Sequence, residues 1–172
     1  EKIIVPSEIN GPIQCRRVLG RWDVATSGSE QVGPYLNGLW EHAMKKIPER
    51  KQIRKILMLG LATGGTVPLF LKRFPNASMT AIEMDPVMQD LFKRLASIKQ
   101  RDRLHILLGD AKDVVTTLKE RYDLVIFDLF LHAKVAPIVR DQDFLSRVLS
   151  LTQPHGFWMV NAFREPYVLR QV

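Results

Sequence analysis

The sequence predicts an α/β fold, a mostly parallel sheet with helices on both faces, preceded by a small N-terminal β appendage. Three observations carry this. From residue 55 onward, strand-length apolar runs alternate with segments whose apolar residues recur at three- and four-residue spacing. The runs ILMLG, MTAIE, LHILL, DLVIFD and FWMVNAF are nearly continuously apolar, as strands covered on both faces must be. The first 30 residues lack this alternation and hold only short extended pieces.

Taken in order, KIIV, PIQCRRVL and WDVAT are separated by turn signals at Asn10-Gly11 and Leu19-Gly20-Arg21. Residues 1–30 are therefore expected to be the appendage, and 31–172 the main domain. From Pro34, the residues Leu36, Leu39, Trp40, Ala43, Met44 and Ile47 make one helical stripe that stops before Pro48. The charged link PERKQIRK leads into ILMLG. After the turn Gly60 to Gly65, Thr66 and Pro68 mark a helix start, and Val67, Phe70, Leu71 and Phe74 share a face. MTAIE precedes a helix opened by Asp85-Pro86, with Val87, Leu91, Leu95 and Ile98 inward. LHILL, a helix from Asp113 to Arg121, DLVIFD, a helix from about Asp141 to Leu151, and FWMVNAF complete five main-sheet strands.

At 172 residues and 46% hydrophobic content the chain can bury a real core. Its apolar runs are far shorter than the roughly 20 residues a bilayer span needs, so a soluble, cytoplasmic protein without membrane contact is expected. Cys15 is the single cysteine, which excludes an intramolecular disulfide and a cysteine-rich zinc site; no metal is expected. The net charge of +7 makes an anionic partner thinkable. Nucleic acid is only weakly supported, because the basic residues are spread as pairs (Arg16-Arg17, Lys45-Lys46, Lys72-Arg73, Lys93-Arg94) without interleaved aromatics.

In a parallel sheet, ligands bind beyond the carboxyl ends of the strands. That rule singles out the turn GLATGG, then Glu83 and Asp85, then Asp110, then Asp128. Small residues at Gly60, Ala62, Gly64 and Gly65 let the backbone bend and a ligand lie against it. The turn alone could be a degenerate dinucleotide fingerprint, with Glu83 on a ribose. Asp110 in LLGDA decides for adenosine, since a carboxylate there can accept from the exocyclic adenine amine.

Together these residues resemble the class I S-adenosylmethionine-dependent transferases with their Rossmann-like fold, and more narrowly the spermidine synthases. GLATGG stands where those enzymes have GGGDGG, Glu83-Met84-Asp85 where they have E-x-D, Gly109-Asp110 where they have GD, and YDLVIFD where they have YDVIIxD. Gln31 stands where they place a glutamine near the sulfonium. The resemblance implies that Glu83 holds the ribose, Asp110 the adenine and the turn the methionine chain. The expected cofactor contacts are Gln31, Gly60, Ala62, Gly64, Glu83, Met84, Asp110, Ala111 and Asp128, for S-adenosylmethionine or its decarboxylated form.

Two departures count against aminopropyl transfer. The second acid of the family's D-x-x-D pair is Leu131, and Thr63 replaces an aspartate in the turn, leaving too little negative charge for a dication. Methyl transfer to a small-molecule acceptor is therefore expected, with Asp128 as the candidate catalytic group and His132 as an incidental loop histidine. Aminopropyl transfer with an altered base, and a non-catalytic scaffold or sensor, are the alternatives. Class I enzymes have seven strands. The last two are expected to be missing here, disordered or supplied by a partner, and the uncovered edge makes a homodimer plausible.

Overall fold

The computed structural model describes residues 2–18, 21–26, 29–32, 34–48, 52–95, 101–131 and 134–162. Its centre is a five-stranded parallel sheet built from β5 (Lys55–Leu59), β6 (Ser78–Glu83), β7 (Leu104–Leu108), β8 (Tyr122–Phe127) and β11 (Thr152–Val160). The spatial order is β11-β8-β5-β6-β7. The central strand β5 is the most deeply buried, with Ile56, Leu57, Met58 and Leu59 fully enclosed. Each such side chain stabilises the fold by roughly 1.5–3 kcal/mol.

Alternation along β5 feeds two separate layers. Ile56 and Met58 face α1 (Pro34–Met44) and α2 (Val67–Arg73), packing with Trp40, Met44, Phe70 and Leu71. Leu57 and Leu59 face α4 (Ala111–Thr117) and α5 (Gln142–Ser150), packing with Val115, Phe144, Leu145 and Val148. This is the two-sided cover that the apolar runs require. β7, at one edge, is only half buried, and Leu108 is 50% exposed.

Several details differ from expectation. Leu39 is 40% exposed and stands off the stripe of α1. α3 (Pro86–Leu95) buries Met88 and Phe92 as well as Leu91, because it contacts two layers at once; Leu36 and Ile98 lie outside the described side chains. α4 stops at Thr117, four residues early. A short antiparallel pair, β9 (Phe130–Leu131) with β10 (Lys134–Val135), forms where a plain loop was expected. The following 3-10 turn at Pro137–Arg140 packs Val139 beside Val135.

The N-terminal region has four strands, not three: β1 (Lys2–Val5), β2 (Ile13–Val18), β3 (Arg21–Thr26) and β4 (Ser29–Val32), forming one antiparallel sheet in that order. It runs to Val32, past the expected boundary at residue 30. Ile13, Cys15 and Val24 close against Met88 and Leu91 of α3 in a small cluster of their own, so this sheet packs on the rest of the chain through α3. The buried Cys15 is a small strand residue, as its lack of a motif suggested. No described helix is long and apolar enough to cross a membrane.

Candidate functional site

The parallel strands end at one level, and the ladder continues one residue beyond them. The Gly60 N–H donates to Ile82 O at 3.0 Å, Gly109 N–H to Glu83 O at 2.8 Å, Asp128 N–H to Leu59 O at 2.8 Å and Asn161 N–H to Phe127 O at 2.9 Å. Asp110, Glu83, Gly60, Asp128 and Asn161 therefore follow one another across the carboxyl edge, in the order β7, β6, β5, β8, β11. At roughly 4.8 Å per strand that row is about 19 Å long. It can seat an extended nucleoside with a side chain.

A cavity of ≈ 220 Å³ opens on this row, where the chain order reverses between β5 and β8. Gly60, Ala62, Glu83, Met84, Asp110, Ala111 and Asp128 all line it. Gly64 does not. A Cβ there would strike the Phe92 ring, and its φ is +66°, so this glycine serves the seating of the turn on α3. Gln31 falls in β4, but its side chain lies outside the described residues, as does His132.

Glu83 is 6% exposed and organises the turn that faces it. Its Oε2 accepts from the backbone N–H groups of Leu61 at 3.2 Å and Ala62 at 2.7 Å, and its Oε1 from Asp85 N–H at 2.8 Å. Burial pushes its pKa up to about 7 despite those three donors. A carboxylate has about four lone-pair directions, so three backbone bonds leave roughly one for a ribose hydroxyl. Ala62, where the resembling enzymes have glycine, is held at φ +49° by this arrangement.

The remaining groups fit the ends of such a ligand. Asp110 caps α4 by accepting from Lys112 N–H at 2.8 Å and stands exposed at the rim. Met84 is 42% exposed beside Glu83, placed against the cavity rather than in the core. Asp128 accepts from the Asn161 side-chain amide, Nδ2 to Oδ1 at 2.9 Å, and desolvation raises its pKa to about 6. Thr63 is buried, and its hydroxyl has no hydrogen-bond partner among the described residues.

Part of the site was not foreseen. Phe130, Leu131, Pro137 and Ile138 form an apolar wall beyond Asp128; the run LFL was the visible signal. Ile9 and Asn10 reach the cavity from the turn between β1 and β2, and nothing local in the sequence announces them. They are held by Asp85, 1% exposed, whose Oδ2 accepts from Ser7 Oγ at 2.5 Å and Asn10 Nδ2 at 2.6 Å while Oδ1 caps α3 through Val87 N–H at 2.8 Å. Asp85→Ala is expected to free this turn. Hydrogen exchange at the Ile9 and Asn10 amides, which donate to Ser7 Oγ, should rise roughly fivefold or more, as loss of about 1 kcal/mol of local stability predicts. Unchanged protection would mean that the turn holds itself.

The cavity is lined by three carboxylates and, among the described residues, by no cation. A ligand rich in hydrogen-bond donors and positively charged suits such a lining.

Comparison with known proteins agrees with this chemistry. The family described as "Methyltransferase domain" matches residues 56–156. The eEF1A lysine and N-terminal methyltransferase of Danio rerio is 32% identical over 145 residues, covering 78% of this chain and 21% of that protein. The chain thus spans about a fifth of the length of this curated relative. Among solved structures, a probable spermidine synthase from Corynebacterium glutamicum superposes with a TM-score of 0.79 at 17% identity, over 94% of this chain and 64% of that one. Human methyltransferase-like protein 13, in complex with SAH, gives 0.55 at 24% identity, over 79% and 68%. At these identities both structures speak for the fold alone.

Proposed function

The chain belongs to the methyltransferase domain family of the class I S-adenosylmethionine-dependent superfamily, and from that premise we propose that it binds S-adenosylmethionine and methylates an amine on a protein. The observation that carries this is the row of carboxylates around one cavity that no cation lines among the described residues. Glu83 would hold the ribose, Asp110 the adenine amine, Met84 and Ala111 the ring faces, and Gly60 to Ala62 the methionine chain. When bound, S-adenosylmethionine supplies a methyl group on a sulfonium, already activated as a leaving group.

The acceptor class is supported from two sides. The curated relative is named for lysine and N-terminal methylation, which favours a protein amine over the small molecule expected from sequence. A lining with three carboxylates and, among the described residues, no cation also suits an amine better than a phosphate or a carboxylate acceptor. Asp128 would receive the amine's proton. Aminopropyl transfer finds no second acid, because Leu131 stands at the rim and the wall around it is apolar.

Calorimetry with S-adenosylmethionine and its decarboxylated form is the direct test, followed by mass spectrometry of a protein extract incubated with the enzyme. Tighter binding of S-adenosylmethionine, and gain of one methyl group on a protein amine, are expected. Preference for the decarboxylated form would transfer the reading to aminopropyl chemistry. Binding with no transfer to any fraction would favour the scaffold or sensor.

A further inference from the structure

We propose that Asn161 is a positioning residue for this reaction: by holding Oδ1 of Asp128 it leaves Oδ2 to take the proton of an amine that enters along an apolar wall. The inference rests on the methyl-transfer reading above. Asn161 and Asp128 each sit one residue past a parallel strand, with backbone N–H groups fixed to Phe127 O and Leu59 O. Their mutual placement is therefore set by sheet register and not by loop conformation. The side-chain amide then crosses from β11 to β8, and the 2.9 Å hydrogen bond selects one carboxylate oxygen. No described group donates to the other.

The cavity lining next to Asp128 in the chain and in the turn that follows is apolar. Leu129, Phe130 and Leu131 come from the hairpin, Pro137 and Ile138 from the turn after it. The wall is a built element: β9 pairs with β10, Ala136 N–H donates to Leu129 O at 2.9 Å, and Val135 and Val139 anchor it from below. The ionisable groups lining the same cavity are Glu83 and Asp110, on the far strands β6 and β7; Lys134 and Arg140 of the wall's own elements do not line it. Asp128 is thus the one proton acceptor on the acceptor side among the described residues. As the N–CH3 bond forms and the S–CH3 bond breaks, sulfur keeps the bonding pair and the proton on nitrogen passes to Oδ2 of Asp128.

The Asn161 amide also tunes this base. Desolvation raises the Asp128 carboxyl and the Asn161 hydrogen bond pulls it back, so the carboxylate persists at neutral pH. Losing the amide should raise the pKa further; replacing it by a second carboxylate should raise it more.

The experiment compares wild type, Asn161→Leu and the near-isosteric Asn161→Asp. Carbon-13 carboxyl titration of Asp128 in the free protein is read beside the pH profile of kcat/KM on a lysine-containing peptide and on a simple alkylamine. In Asn161→Leu both the titration and the acid limb should move up by roughly one to two pH units, the size of one charge-assisted hydrogen bond on the pH scale. In Asn161→Asp they should move further, and kcat at neutral pH should fall about tenfold or more in both. The far-UV circular dichroism spectrum should be unchanged in both variants, reporting an intact fold. An unmoved Asp128 titration in both variants overturns the inference. A titration that moves in the variants while the wild type methylates neither amine instead overturns the methyl-transfer reading, and the proton step with it. Activity on the peptide alone identifies a protein side chain as the source of the amine; equal activity on the alkylamine identifies the bare amine.

Discussion

Glu83→Gln is expected to weaken S-adenosylmethionine binding by about 1.5–3 kcal/mol, roughly 10- to 150-fold, and to loosen the turn that receives it. The amide is isosteric, so size is not the cause. One oxygen becomes an NH2 donor facing N–H groups of Leu61 and Ala62, or of Asp85, that the carboxylate now accepts from. On the proposed binding mode the ribose would lose a charged acceptor as the turn loses its brace.

The same residue gives a pH signature with a definite sign. Its folded pKa is about 7, above the ordinary 4.5, because burial disfavours the charge. Stability from this group is therefore fully present below about pH 4.5 and is lost as pH rises through 7, by ~3 kcal/mol. Asp128, raised to about 6, adds a smaller fall of the same sign at lower pH. Ligand affinity runs the other way, since hydroxyl donors favour the carboxylate: S-adenosylmethionine should bind more tightly as pH rises through 7. Denaturation and calorimetry at pH 5 and pH 8 check both. If Glu83→Gln keeps the wild-type slope in stability, the burial of this charge is not its source.

Gly60→Ala should cost about 3–5 kcal/mol of folding stability, summing left-handed strain and overpacking. Gly60 has φ +89°, and an added Cβ would meet the backbone O of Asp128 in direct contact and its backbone C at 2.9 Å. Because the obstacle is backbone, no side-chain rotation relieves it. β8 would have to move at its end, displacing Asp128 from Asn161. Urea unfolding should show a lowered midpoint with unchanged slope. Ala62→Gly is the paired control: it relieves a residue at φ +49° and should be neutral or stabilising by up to about 1–2 kcal/mol. Equal losses in both variants would contradict this account.

The strands of the main sheet were legible because each is a nearly unbroken apolar run, and helices α2 and α3 because Val67, Phe70, Leu71 and Phe74, and then Val87, Leu91 and Leu95, repeat at helical spacing. Seven expected ligand contacts meet at one cavity because strand-end position is a local property, readable wherever a strand is. Leu39 escaped correct placement since period alone does not say how wide the buried face is. The β9–β10 hairpin escaped because two-residue strands have no periodicity to read.

Sequence by itself determined the α/β class, the glycine-containing turn and the carboxylates at three strand ends, because these depend on spacing along the chain. Its departures at Thr63 and Leu131 also spoke against a dicationic substrate without any coordinates. Only tertiary structure decided the rest. Asp85 clamps a turn 75 residues away, Glu83 braces the turn 21 residues before it, and Asn161 reaches Asp128 across 33 residues. Those contacts exist because sheet order places β11 beside β8 and packs the N-terminal strands on α3, and neither neighbour relation is written in any local stretch of the chain.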